Sequence, residues 1–416
     1  MSKKVVIVGA GIVGLSTAYY LNKAGIDVTV IDSTDGNDNC SYGNAGYVSP
    51  SHIIPLASPG IINQGLKWML SSSSPFFIKP KLSRDLLKWG WLFKKAATDK
   101  RVKAAIPVLY DLTTQSQRLY EALMSEESIE AGYNKPGLLM VCQTEAALKH
   151  EIELVDIANQ YGLEASVLSK AETETHDPNV NYDMAGAVYF GCDGWMTPNV
   201  FMEQFKGLLL KKGVKIDFKT ELQEIGLKAN KITEFITDRG SYQADEYIMA
   251  AGSWSSILAK KLKIDLPLQP GKGYSFTLSD PPVSPKLPSI LVEARVATTP
   301  MLEGMRIAGT MEITGTNHKI NNKRVQGIID SVQEAIPDFQ DYDFSNIKPW
   351  AGLRPCTPDG LPYIGRPQGF ENLQIGTGHA MLGWTLGPIT GKLLCQNIIG
   401  EATSISSPLL SVDRYN

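Results

Sequence analysis

Hydrophobic and polar positions along this chain of 416 residues fall into short, separately patterned blocks. Val5-Val6-Ile7-Val8 is a continuous β-branched run, which predicts a buried strand. A helix is predicted over about residues 12–23 and a second strand over 28–31. A polar, turn-rich segment (33–60) follows, then a stretch rich in Trp, Phe, Lys and Pro (61–97). Helical patterns occupy about 102–126 and 145–161, with buried strands expected at 137–142 and 185–190. Pro198-Asn199 starts a helix that runs to about Lys212 and is expected to bury Phe201, Phe205, Leu208 and Leu209. Strand-like segments lie at 214–218, 231–237 and 246–250, and residues 265–345 form a further mixed region. A last strand at 372–375 leads to an apolar helix over about 386–399. No internal repeat or low-complexity tract interrupts this order.

Glycines sit where the blocks change. Gly9-Ala10-Gly11-Ile12-Val13-Gly14 joins the first strand to the first helix. In such a G-x-G-x-x-G turn, Gly9 permits the tight turn, Gly11 lets a pyrophosphate approach the backbone, and Gly14 lets helix and strand pack closely. The helix N-terminus offers free N–H groups to phosphate, and Asp32, closing the second strand, suits a ribose 2′-OH. Two further strand ends are glycine-rich: Ala250-Ala251-Gly252-Ser253-Trp254-Ser255 and Gly376-Thr377-Gly378-His379. One dinucleotide domain interrupted twice unites the three. It is expected to comprise 1–58, 193–264 and 346–416, with 59–192 and 265–345 forming a substrate domain. Strand ends recurring at the middle and the end of the chain favour FAD, which spans more of the sheet edge than NAD. An NAD-dependent dehydrogenase and a non-catalytic flavin-fold binding protein remain the readings of other classes.

Composition narrows the setting. Hydrophobic content of 43%, charged content of 20% and a net charge of −3 describe a globular protein with no electrostatic case for nucleic acid. The five cysteines, Cys40, Cys142, Cys192, Cys356 and Cys395, are scattered without metal spacing and read as reduced thiols. No apolar stretch reaches the ~18 residues of a membrane span. Ser2-Lys3-Lys4 precedes an apolar run already accounted for by strand and helix, with no small-residue cleavage site after it. A cytoplasmic location is expected. Gly65-Leu66-Lys67-Trp68-Met69-Leu70 and Lys88-Trp89-Gly90-Trp91-Leu92-Phe93-Lys94-Lys95 suit an interfacial helix, so peripheral contact at the inner membrane face is a further expectation.

Longer motifs are narrower. Asn44-Ala45-Gly46 with Ser49-Pro50, Lys67-Trp68, Ser74-Pro75 and Lys272-Gly273-Tyr274-Ser275 are four of them. Trp350-Ala351-Gly352-Leu353-Arg354-Pro355-Cys356-Thr357-Pro358-Asp359-Gly360 and Gly376-Thr377-Gly378-His379 with Gly383-Trp384-Thr385 are the most specific. In these motifs the chain resembles the D-amino acid dehydrogenase small-subunit family of the D-amino-acid oxidase-like FAD-dependent superfamily. Ser33 departs from the basic residue that often follows the ribose acid there, and the 34–39 loop is unusually polar.

The resemblance implies an α/β fold: a Rossmann-like FAD-binding domain interleaved with an α+β substrate domain on a mixed or antiparallel sheet. It implies oxidative deamination of D-amino acids to 2-oxo acids or cyclic imines, with hydride passing from the amine-bearing carbon to flavin and electrons on to a quinone-type acceptor. D-Proline or cis-4-hydroxy-D-proline dehydrogenation, and glycine or sarcosine oxidation with oxygen, share the same motifs. Arg354 is expected to grip the substrate carboxylate, Tyr274 to share it or shape the pocket, and His379 to contact FAD or substrate. FAD contacts are expected from Gly9, Ala10, Gly11, Ile12, Val13, Gly14, Asp32 and Ser33, and from the passing segment Ser41, Asn44, Ala45 and Gly46. Ala251, Gly252, Trp254, Gly352, Arg354, Gly378, His379, Leu382, Gly383, Trp384 and Thr385 complete that set. Side-chain preference and oligomeric state do not follow from these motifs.

Overall fold

The structure, a computed structural model, describes residues 3–68, 75–79 and 83–416, apart from the side chains at 64 and 66–68. Met69, Leu70 and Ser74 lie outside the described residues, as do the side chains of Lys67 and Trp68.

Two sheets organise the chain. The first has six strands in the order Tyr363–Gly365, Leu373–Thr377, Glu246–Met249, Lys4–Val8, Asp27–Ile31, Lys215–Asp217. All neighbours are parallel except the edge pair Tyr363–Gly365 and Leu373–Thr377. Its central strands are β-branched and buried on both faces, as a parallel sheet covered by helices requires. The second sheet runs Trp350–Cys356, Gln269–Leu278, Gly304–Ile313, Val296–Met301, Ser289–Leu291, Leu138–Cys142, Gly186–Phe190, Ala165–Leu168, with Phe76–Ile78 alongside Gly304–Ile313. Its pairs are antiparallel except Leu138–Cys142 with Ser289–Leu291 and Phe76–Ile78 with Gly304–Ile313. Strand Trp350–Cys356 thus belongs to the second sheet, although the strands that follow it, Tyr363–Gly365 and Leu373–Thr377, belong to the first.

The N-terminal unit follows its pattern: strand Lys4–Val8, helix Ile12–Lys23, strand Asp27–Ile31. Helix Pro198–Lys211 opens on Pro198 and buries Phe201, Phe205 and Leu209, while Leu208 is only partly buried. The C-terminal helix Gly383–Ile399 begins three residues before the pattern suggests. It lies against helix Ile12–Lys23 because Gly387 and Gly391 leave room there. A Cβ on Gly387 would stand 2.5 Å from Ile12, and one on Gly391 2.5 Å from the Ser16 backbone. That contact fixes where the helix N-terminus points. Two main cores result, one joining Val5, Ile7, Leu15, Phe201 and Trp384, the other joining Leu139, Phe276, Ile307 and Val332.

A buried ion pair locks the turn between Arg354 and the first sheet. Arg414 Nε and Nη2 donate to Asp359 at 2.8 and 2.9 Å, and Nη2 also reaches the Leu361 carbonyl at 2.7 Å. Although burial opposes its ionisation, the Arg414 charge holds the Asp359 carboxyl below its ordinary value of 3.8. The pair's contribution is therefore present above that ordinary value and is lost as pH falls through the depressed one. Arg414→Ala is expected to cost about 3–5 kcal/mol in urea unfolding at pH 7, because it leaves a buried carboxylate unpaired. The gap between variant and wild type should narrow in acid.

Candidate active site

The C-terminal ends of the parallel strands open into a cavity of about 1640 Å³ that extends to the second sheet. Typical small-molecule sites occupy ~300–1,000 Å³, so this one has room for a dinucleotide and a substrate together.

At one end, Gly9 adopts φ +108° and receives the backbone of Ala250 so closely that a Cβ would stand 2.4 Å from its oxygen. Gly14 is tighter, with a Cβ position 1.8 Å from the Gly9 carbonyl oxygen. Neither site tolerates a side chain, so strand and helix meet at backbone distance. Gly11 lies at the helix N-cap, lines the cavity and has no side-chain cap. Ile12 N–H donates to Ser41 Oγ at 3.0 Å, and the rest of the first turn is left for an anion. Asp32 Oδ2 accepts the Ala10 N–H at 2.6 Å, and Oδ1 accepts the Thr34 N–H and O–H at 2.8 and 2.6 Å. The carboxylate is thereby aimed, with a lone pair of Oδ2 left for a ribose hydroxyl. These features fit the adenosine diphosphate half of FAD.

The passing segment is tied down from the second sheet. Arg306 is buried and donates through Nη1 to the carbonyls of Tyr42 (2.9 Å) and Asn44 (2.8 Å). Sequence reading missed this residue, since an arginine on a strand gives no local sign of the loop it will hold. Asn44 Oδ1 accepts the Gly46 N–H at 2.8 Å, and Ala45 lines the cavity. Gly252 receives the Thr377 hydroxyl on its carbonyl at 2.8 Å, which joins two strand ends. Trp254 stacks on His318 at 5.8 Å. Of the expected FAD contacts, Ala10, Gly14, Gly46 and Gly378 shape the backbone and do not line the cavity.

Arg354 is set by a β-bulge. Lys272 pairs with Glu312 and Tyr274 with Gly309, so Thr310 and Met311 together stand opposite Gly273. Thr310 takes φ +67°, and its carbonyl accepts Arg354 Nη1 at 2.8 Å. The guanidinium crosses over Gly273, where a Cβ would lie 2.1 Å from Nη1. Among the described residues Arg354 has no ion pair. Burial draws its pKa below the ordinary value, yet a guanidinium stays charged at neutral pH. Gly273→Ala is accordingly expected to dislodge this side chain and raise KM for a carboxylate substrate about tenfold or more, read in steady-state kinetics.

Tyr274 is placed elsewhere. It borders the cavity, but strand alternation puts its side chain on the opposite face from Arg354. Its hydroxyl donates to Glu312 Oε2 at 2.6 Å, in a buried group with Lys272 and Arg324. The phenol therefore does not meet Arg354, and this pairing across a bulge left no mark in the local pattern. His379 lines the cavity, with Nε2 2.8 Å from Thr390 Oγ1. Burial lowers its pKa to about 3, so it is neutral across the working range and is no proton store. Leu382, Gly383, Trp384 and Thr385 form the entry of the C-terminal helix at the cavity wall, and Thr385 Oγ1 donates to the Tyr47 carbonyl at 3.0 Å. That helix has no side-chain cap, and its first residues lie at the cavity wall, so its positive dipole end is at the site.

Helix Arg84–Ala96 flanks the cavity mouth. Trp89 is buried and donates to the Cys356 carbonyl at 2.9 Å, whereas Leu87 and Trp91 are 62% and 56% exposed. Lys95 lies 3.5 Å over the Trp91 ring. Among the described residues no helix is long and apolar enough to cross a membrane.

Comparison with known proteins agrees with this geometry. The DAO family, described as FAD dependent oxidoreductase, matches residues 4–397. A D-amino acid dehydrogenase of Granulibacter bethesdensis is 32% identical over 423 residues, covering 99% of each chain. Another, from Vibrio vulnificus, is 34% identical over 408 residues and covers 96% of each. Among solved structures, glycine oxidase from Geobacillus kaustophilus superposes with a TM-score of 0.81 at 20% identity over 100% of both chains. L-Proline dehydrogenase from P. horikoshii gives 0.72 at 18% identity, over 100% of this chain and 98% of that one. At such identities the structural likeness speaks for the fold. Family match, near full-length relatives and a cavity shaped for a dinucleotide agree: the chain belongs to the DAO family of FAD-dependent oxidoreductases, and its cofactor is FAD.

Proposed function

We propose that the chain oxidises D-amino acids at the amine-bearing carbon. The imine so formed is hydrolysed by water to a 2-oxo acid and ammonia, or persists when the substrate is a cyclic amine such as D-proline. Bound FAD supplies the two-electron acceptor. The observation that carries the reading is Arg354, a cavity-lining guanidinium held by one backbone carbonyl and without a carboxylate of its own. Its remaining N–H donors match a carboxylate bidentately. Anchoring the carboxylate fixes the α-carbon relative to the cofactor cleft and removes orientational freedom from the reaction. The uncapped N-terminus of helix Gly383–Ile399 favours negative charge at that wall. Neutral His379 orients the Gly378 turn through Thr390 and takes no proton. The D configuration is supported by the names of the relatives, D-amino acid dehydrogenase.

For the acceptor we favour a membrane quinone over oxygen. Leu87 and Trp91 project from the helix that Trp89 secures beside the cavity mouth, an arrangement suited to resting on a bilayer. The test is a screen of the flavin-loaded protein against D- and L-amino acids, glycine, sarcosine and D-hydroxyproline, with a dye or quinone acceptor and then oxygen alone. Turnover of D-amino acids, faster with the dye or quinone, is expected. Turnover confined to L- or N-methyl substrates contradicts the reading. In the same preparation, co-sedimentation with anionic vesicles should weaken in Trp91→Glu. Equal sedimentation of the two proteins removes the membrane part.

A further inference from the structure

A second polar group lines the cavity apart from Arg354. Asp193 is fully buried and accepts the Ser51 O–H at 2.6 Å through Oδ2 and the Ser51 N–H at 2.9 Å through Oδ1. Cys192 Sγ lies 3.4 Å from Oδ1 as a further donor. With its hydrogen committed to Asp193, Ser51 Oγ has only lone pairs for its other neighbour, His52 Nδ1, at 3.0 Å. With Asp193 as the carboxylate that accepts this hydrogen, Nδ1 carries the ring proton. His52 makes no other hydrogen bond among the described residues, so Nε2 is left as an acceptor. The side chain is 29% accessible, and the surface it lines is the cavity's. Burial, with Arg295 nearby, keeps the ring neutral, while Asp193 pulls the other way.

The surroundings define what this acceptor can read. Ile53 and Ile54 follow it in the chain, and Met140, Phe190 and Ile290 complete an apolar wall on the same cavity. A neutral donor satisfies Nε2 at little desolvation cost, and a hydroxyl is the simplest that an amino acid carries. We propose that His52 is a specificity-determining residue whose Nε2 accepts a hydrogen bond from a hydroxyl on the substrate's side chain or ring, making hydroxylated D-amino acids the preferred substrates. This rests on the reading of the chain as a D-amino acid oxidoreductase.

The test compares kcat/KM for matched pairs, D-serine with D-alanine and cis-4-hydroxy-D-proline with D-proline, in the flavin-loaded wild type, His52→Phe and His52→Gln. An acceptor left unpaired costs binding, so at least one pair should favour the hydroxylated member about 10- to 100-fold in the wild type. That ratio should fall to about one in His52→Phe and recover in part in His52→Gln, which keeps an acceptor. Flavin absorbance and melting temperature report whether each variant folds. Equal efficiency within both pairs in the wild type overturns the His52 assignment alone, as does a ratio that survives His52→Phe or His52→Gln failing to restore any of it. A wild type that turns over no D-amino acid overturns the underlying reading and this one with it.

Discussion

Arg354→Leu is expected to lower kcat/KM for amino acid substrates by roughly 30- to 5,000-fold, most of it through KM. The estimate follows from truncating one partner of a buried, hydrogen-bonded charge pair, about 2–5 kcal/mol. In this site the penalty is carried by the substrate. Its carboxylate would then enter the cavity without the guanidinium fork that Arg354 offers it. Arg354→Lys keeps the charge and loses the fork, so it should recover part of the loss. Steady-state kinetics on protein with normal flavin absorbance decides the matter. An unchanged KM in Arg354→Leu would show that the carboxylate is held elsewhere.

The second large effect is on cofactor retention. Gly14→Ala adds one carbon where the Gly9 carbonyl oxygen stands 1.8 Å away and the Gly9 carbonyl carbon 3.0 Å away. Both obstacles are backbone, so the helix must leave the strand that carries the phosphate-binding turn. A stability loss of about 3 kcal/mol and protein purified largely without flavin are expected. Gly207→Ala is the control. Gly207 lies inside helix Pro198–Lys211 with nothing within 4 Å of a Cβ position. Alanine there should stabilise by about 0.4–1 kcal/mol and leave flavin content alone. Thermal melts with flavin-to-protein absorbance ratios report both variants. Equal flavin content in the two would refute the close-packing account of Gly14.

What could be read from the chain was local. Strand, glycine turn, helix and terminal Asp32 lie within one stretch, and each part constrains the next. The helix after Pro198 was legible for the same reason. Partnership between distant segments was not. Trp350–Cys356 pairs with Gln269–Leu278, and neither strand's own alternation names the other. The face of Tyr274 depends on that pairing, and the bulge opposite Gly273 sets where Glu312 stands, so the motif Lys272-Gly273-Tyr274-Ser275 could not reveal that its phenol binds Glu312. Gly273 itself was visible only as part of that motif. Its purpose, space for the Arg354 guanidinium, emerges once three strands are side by side. Arg354 could be singled out as a candidate from sequence because its motif is long; Thr310, which supplies the carbonyl that aims it, belongs to no motif.

The most direct test of the central claim is anaerobic mixing of the flavin-loaded protein with D-alanine, L-alanine and D-alaninamide, followed by absorbance at ~450 nm, where oxidised flavin absorbs. A carboxylate-anchored D-amino acid oxidoreductase should bleach with D-alanine, stay oxidised with L-alanine, and respond far more weakly to the amide, which lacks the charge proposed to meet Arg354. Bleaching by L-alanine alone, or equal bleaching by D-alanine and its amide, would contradict the account.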